Sequence, residues 1–194
     1  MNSNLHKPHL AFLKWIWSSK LHEDDLVIDA TLGNGFDSLF ILKTILKTGH
    51  VYGLDVQQDA IDSTLKLLTK EHLDSLQHKR FHPYLICHSE IDTIPTLKKP
   101  MLVVYNLGYL PKGDKQKTTI ASSTLSSLEK ALKILDPKGL ITVTIYPGHP
   151  EGKTEADAIE SWVKTLTQKN LQILKFHTLN HETAPYVIVI QKRD

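Results

Sequence analysis

Short apolar runs that each stop at a glycine, an amide or an acid alternate along this chain with longer segments of helical spacing, and that alternation limits the folds open to it. "LVIDAT", residues 26–31, has charge before it and a glycine-rich turn after it, the pattern of a buried strand. "DSLFILKTIL" follows and is long and apolar enough for a helix packed on a sheet. "HVYGLD" then ends at Asp55, and Ile61, Leu65 and Leu68 of the next segment share one helical face.

The pattern continues. "FHPYLICHS" and "MLVVYNLGYL" read as strands, and Leu125, Leu128, Leu132 and Leu135 recur at helical spacing before a stop at Asp136, Pro137 and Gly139. "LITVTIY" is a further strand, and Ile159, Trp162, Val163 and Leu166 mark a helix, with Thr154 and Asp157 in a capping-box relation. "LQILKFHTL" and "YVIVIQK" are separated by too few residues for a crossover helix, so they are expected to pair as an antiparallel hairpin. Right-handed strand-helix-strand units give an α/β fold: a mostly parallel twisted sheet, helices on both faces, and the hairpin at the end. Residues 1–20 are expected to pack as a helix outside the sheet, with Trp15 and Trp17 in packing roles. No internal repeat or break in composition divides the chain, so 1–194 is expected to be one domain.

Bulk properties narrow the function. At 194 residues, 41% hydrophobic and 23% charged, the chain has the make-up of an ordinary globular protein. Its one cysteine, Cys87, lies in the apolar run "YLICH" and offers neither a disulfide framework nor a zinc cluster. A reducing cytoplasm is the expected location, and no metal site is expected. Lys14 interrupts the apolar residues of the first turns, so neither a membrane span nor a secretory leader is expected. A net charge of +2 does not mark a general nucleic-acid binder, although "KGDKQK" gathers Lys112, Lys115 and Lys117 where phosphates could meet them.

In an open parallel sheet the ligand lies beyond the carboxyl ends of the strands. There, after the first strand, Gly33 and Gly35 open a helix, and Asp55 ends the second strand 20 residues beyond Gly35. Glycines let backbone approach a ligand, and an acid at the second strand's end can accept hydrogen bonds from both hydroxyls of a ribose. Two cofactor classes share this geometry. A dinucleotide would want a third small residue and free helix-end amides for its pyrophosphate, yet Ser38 takes the third glycine position and Asp37 puts negative charge beside it. A cofactor carrying a sulfonium and an amino group, S-adenosyl-L-methionine, suits Asp37 better. A nicotinamide-dependent oxidoreductase stays as the alternative, and a nucleotide- or RNA-binding module without activity as the non-enzyme one.

"VIDATLGNGFDS", "VYGLDVQQDAI", "NLGYLPKGDK" and "IYPGHPEGKTEADAIESWV" resemble, in this order, the signature blocks of a bacterial family of small methyltransferases first labelled rRNA methylases and associated with the tRNA wobble uridine. The resemblance runs from about Leu26 to Lys192. It implies a Rossmann-like class I methyltransferase fold and S-adenosyl-L-methionine as cofactor. The reaction it implies is N-methylation of the aminomethyl group of 5-aminomethyl-2-thiouridine in the tRNA anticodon loop. Another RNA base or a small amine is the alternative acceptor, and a homodimer is kept open as the assembly.

By the same resemblance, Asn34, Gly35 and Asp37 surround the methionine portion, Asp55 holds the ribose, Gln57 lies beside the adenosine, and His88 and Ser89 lie near the adenine; Thr31 and Gly33 of the same turn are also expected to bind the cofactor. Asn106 and Tyr109 line the transfer pocket with Tyr146 and His149; from the lysine cluster beside them, Lys112 and Lys115 are expected to meet the substrate. Phe36 and Ser38 stand where the family usually has His and Thr, and Pro147, Pro150 and Glu151 depart from its later block. "NLGY" is also similar to the Asn-Pro-Pro-Tyr motif of amino-methyltransferases. In that role Asn106 supplies an amide acceptor for an amine hydrogen and Tyr109 a ring face for the base. Cys87 follows Leu85 and Ile86 as a small hydrophobe, so a thiol nucleophile for pyrimidine carbon 5 is not expected. His149 is the candidate base.

Overall fold

A computed structural model describes residues 7–71, 79–108, 119–167 and 169–193. Seven strands form one sheet in the order β3-β2-β1-β4-β5-β7-β6. They are β1 (Leu26–Asp29), β2 (His50–Asp55), β3 (Phe81–Leu85), β4 (Leu102–Asn106), β5 (Leu140–Ile145), β6 (Leu171–Phe176) and β7 (Tyr186–Lys192). Strands β1 to β5 run parallel, and β7 pairs antiparallel with both β5 and β6. The expected hairpin therefore forms, but its second strand inserts between β5 and β6.

The helices are α1 (Pro8–Lys20), α2 (Phe36–Thr44), α3 (Gln58–Lys70), α4 (Ala121–Ile134) and α5 (Pro150–Thr165), with a 3-10 helix at His88–Thr93. Apolar residues of α1, α2 and α3 pack with Val27, Val51, Val104 and Val189 on one face. Those of α4, α5 and the 3-10 helix pack with Ile28, Leu54, Tyr105 and Ile188 on the other. Strands buried on both faces carry the continuous apolar runs seen in the sequence. Pro83 is tolerated because β3 is an edge strand, which leaves the missing N–H without cost.

Some boundaries differ from expectation. β1 stops at Asp29 because the chain must turn at once, and β3 stops at Leu85, short of the 3-10 helix. α5 begins at Pro150 and takes His149 as its cap, so Thr154 lies inside the helix and its hydroxyl donates to the Pro150 carbonyl at 3.1 Å instead of capping. Trp17 is fully buried and its indole N–H donates to Thr142 Oγ1 on β5 at 3.2 Å, which docks α1 on the sheet. Trp15 instead points outward and is 64% exposed. Among the described residues no helix is long and apolar enough to cross a membrane.

Candidate active site

Strand order reverses between β1 and β4, and the chain leaves both strands at their carboxyl ends into one cleft. After Asp29 the turn closes through Leu32 N–H to Leu54 O and Gly35 N–H to Leu32 O, each 2.9 Å. Gly33 and Gly35 have φ of 53° and 74°, in the left-handed region where a side chain is costly. A Cβ on Gly35 would also come within 2.5 Å of the Thr64 side chain on α3. The turn thus lies flat against α3, and Gly35 caps α2.

Asp55 holds this turn from β2. One carboxylate oxygen accepts from the Gly33 N–H and the other from the Gln57 N–H, both at 2.9 Å. Each oxygen keeps a further lone pair, so the group can still accept two hydroxyls. Val56 and Leu85, which Asp55 faces across the β2–β3 pair, are apolar yet 58% and 52% exposed. Together they make an apolar wall beside a diol acceptor.

From β4, Asn106 reaches the same cleft. Its backbone N–H donates to Thr31 Oγ1 at 2.6 Å, and its side-chain amide donates to Asp37 Oδ2 at 3.3 Å. The Tyr146 oxygen, arriving from the end of β5, accepts from the Asn106 side-chain amide. His9 of α1 is buried and set edge-on to the Tyr146 ring, 6.1 Å between centroids. Thr31, Asp37, Asn106 and Tyr146 are therefore one connected cluster.

Comparison with known proteins adds to this geometry. The sequence model of a family described as "Putative rRNA methylase" matches residues 51–192. A protein named "tRNA (mnm(5)s(2)U34)-methyltransferase, chloroplastic" from Arabidopsis thaliana is 37% identical over 185 residues, spanning 92% of this chain and 67% of that one. The chain belongs to this methyltransferase family. A crystal structure of a "putative rRNA-methylase" from Clostridium thermocellum superposes with a TM-score of 0.88 at 31% identity, covering 95% of this chain and 97% of that one. A "putative methyltransferase" from Streptococcus mutans in complex with SAH superposes with a TM-score of 0.82 at 28% identity, covering 95% and 97%. The fold is that of class I methyltransferases.

In this methyltransferase the cleft is strongly acidic. Burial, reinforced by the negative charge of Asp37, raises the Asp29 carboxyl to about 7, against the lowering effect of hydrogen bonds from the Ser38 hydroxyl and the Thr31 N–H. Burial also raises Asp37, against its hydrogen bond from Asn106 and the charge of Lys14, and raises Asp55, against its backbone N–H donors. Tyr146 is pushed up to about 12 by burial and by Asp37, so it stays a neutral phenol. Such a cleft resists phosphate and favours a cation.

The remaining sequence candidates are placed as follows. Asn34 and Gln57 are half-buried at the turn and at the end of β2. His88 is buried at the start of the 3-10 helix, where burial lowers its imidazole to about 4 and its Nε2 meets no partner among the described residues. The Ser89 carbonyl accepts from Lys130 at 2.7 Å. His149 caps α5: its Nδ1 lies 3.1 Å from the Gly152 N–H and 3.3 Å from Glu151 Oε2. Tyr109, Lys112, Lys115 and Lys117 lie outside the described residues. Sequence reasoning missed four residues. Asp29 was visible as the acid ending an apolar run, and Val56 and Leu85 flank or face Asp55, but nothing local ties His9 to Tyr146.

Proposed function

We propose that this methyltransferase transfers a methyl group from S-adenosyl-L-methionine to the aminomethyl nitrogen of 5-aminomethyl-2-thiouridine at the tRNA wobble position. The product is 5-methylaminomethyl-2-thiouridine. The observation that carries the reading is Asn106, whose side chain is held between Asp37 and Tyr146 at the end of β4. With its Nδ2 turned to a carboxylate, its carbonyl oxygen is oriented and keeps acceptor capacity for an amine N–H. A planar amide beside a neutral phenol suits a nitrogen acceptor on an aromatic ring. Cys87, two residues past the end of β3, is remote in the chain from this strand end, in keeping with attack by nitrogen rather than by a thiol-activated ring carbon.

The residues fit the cofactor by chemistry. Asp55 offers acceptors for the ribose hydroxyls, Val56 and Leu85 an apolar wall for the adenine, and Gly33 and Gly35 a backbone without side chains beside the methionine portion. Asp29 and Asp37 face its cationic end. Bound S-adenosyl-L-methionine supplies the methyl group on a positively charged sulfur. Asn106 aligns the amine and Tyr146 buttresses Asn106, so positioning supplies most of the rate. The ammonium proton then leaves to water or to His149, the candidate base. Lys112, Lys115 and Tyr109 would meet the RNA, and the reaction belongs in the cytoplasm, where a lone free cysteine is stable.

Calorimetry and methyl transfer on the same variants test this reading. Asp55→Ala is expected to lose S-adenosylhomocysteine affinity at least about 10-fold, since charge-assisted hydrogen bonds are worth about 1.5 to 3 kcal/mol each. Asn106→Ala is expected to keep that affinity within about 3-fold and lose about 100-fold in transfer, the scale of a misplaced reactant. NAD binding tighter than S-adenosylhomocysteine, or wild-type transfer by Asn106→Ala, would contradict it.

A further inference from the structure

We propose that Glu155 is a positioning residue for the transfer site, acting through the hydroxyl of Thr119 on the backbone just beyond Asn106. The inference rests on the reading above in that the site it sets is the methyl-transfer site. Glu155 lies on α5 and is only 4% exposed. One of its oxygens accepts from Thr119 Oγ1 at 2.7 Å and the other from Thr124 Oγ1, fully buried on α4, at 2.6 Å. Among the described residues no cation pairs with it. Burying a carboxyl group against hydroxyls alone is costly, and an apolar residue of similar size would pack α4 on α5 more cheaply.

What the carboxylate adds is direction. It only accepts, whereas a hydroxyl has a single proton to give. Thr119 therefore commits its proton to Glu155 and turns its lone pairs to the Gly108 N–H, which donates to it at 3.0 Å. The Thr119 N–H donates back to the Gly108 carbonyl at 3.1 Å, completing a two-bond clamp. Gly108 needs that clamp. Its φ of 126° is a conformation available to few residues, and among the described residues a Cβ there would meet nothing within 4 Å.

The clamp completes a series. The N–H of Asn106 is fixed by Thr31 Oγ1, that of Leu107 by the Thr144 carbonyl, and that of Gly108 by Thr119 Oγ1. The first acceptor belongs to the cofactor turn and the second to β5. The third is a hydroxyl whose own proton is taken by another side chain, Glu155. Losing it frees the backbone two residues from the amide that aligns the amine, while the cofactor turn keeps its own hydrogen bonds.

Thr119→Val, which keeps the shape and removes Oγ1, is compared with Thr119→Ser, which keeps Oγ1, and with Glu155→Leu. Amide hydrogen exchange at Gly108 is expected to speed at least about 10-fold in Thr119→Val and Glu155→Leu and to stay as in the wild type in Thr119→Ser. Single-turnover transfer is expected to fall at least about 10-fold in the first two, with S-adenosylhomocysteine affinity and KM for tRNA within about 2-fold. The double variant is expected to be no worse than the poorer single one, because both remove one interaction. If Glu155→Leu does not fold, the Thr119 pair decides alone. Unchanged Gly108 exchange in Thr119→Val, or transfer equal to that of Thr119→Ser, overturns the inference and reduces Glu155 to a tie between α4 and α5. The exchange measurement needs no RNA, so a wild-type enzyme silent on tRNA would refute the proposed substrate while Gly108 still judges this proposal.

Discussion

Asp29 shows how a single buried acid couples charge to binding. Its carboxyl is raised from 3.8 to about 7, so the folded chain holds this proton more tightly than the unfolded chain does. The stabilisation it contributes is complete below about pH 4, falls as pH rises toward 7, and is gone above that. A cationic cofactor favours the ionised form, so binding near pH 6 is expected to release a proton, and affinity is expected to rise with pH through about 7. Calorimetry in buffers of different ionisation heat reads this directly. Asp37 and Asp55 are also raised and face the same cleft, and Lys14 opposes Asp37, so Asp29→Asn isolates the contribution of Asp29. That variant is expected to lose most of the buffer dependence, whereas a wild-type protein whose binding heat is the same in every buffer would contradict the assignment. Asp29 ends "LVID", where an acid in an apolar run was legible in the sequence. Its partners Ser38 and Asp37 were legible only as departures from a glycine motif, since their contact with it depends on the fold.

At the scale of elements, the turn between β1 and α2 is built around two left-handed glycines, and Gly35 carries a double constraint. A side chain there meets both an unfavourable φ, costing about 1 to 2 kcal/mol, and the Thr64 side chain at 2.5 Å. Gly35→Ala is expected to lower the unfolding midpoint and to weaken cofactor binding, and adding Thr64→Ala to recover only the part due to Thr64 Oγ1 and Cγ2, since the Cβ that remains would still lie 2.8 Å away. An unfolding midpoint equal to wild type in Gly35→Ala would show that the turn does not have this conformation. The turn, the alternating strands and most helices were readable because each is fixed by local spacing and chain punctuation. Insertion of β7 between β5 and β6 was not, because pairing between distant strands leaves no local trace. The start of α5 was misjudged for a related reason: Thr154 fits a capping pattern, but Pro150 and the His149 side chain supply an earlier cap.

Across the whole molecule, strand order brings residues from β1, β2, β4 and β5 to one cleft and leaves the antiparallel β7 and β6 to extend the sheet past the β5 edge. In the proposed site the cofactor residues lie at the ends of β1, β2 and β3, and Asn106 and Tyr146 at those of β4 and β5, so binding and transfer are expected to be separable by mutation. Tyr146 also meets α1 through His9, a link between distant segments that was beyond sequence reasoning. The acidic cleft suits a cation, and the proposed RNA substrate would have to be met by other parts of a chain with a net charge of only +2. The central claim is that the acceptor is the exocyclic amine of a wobble uridine. The direct measurement incubates the protein with tRNA bearing 5-aminomethyl-2-thiouridine and methyl-deuterated S-adenosyl-L-methionine, followed by fragmentation mass spectrometry of the wobble nucleoside. The account predicts one deuterated methyl on the aminomethyl nitrogen and none on tRNA whose wobble uridine lacks the amine. Label on a ring carbon, on a ribose oxygen or on amine-free tRNA would contradict it.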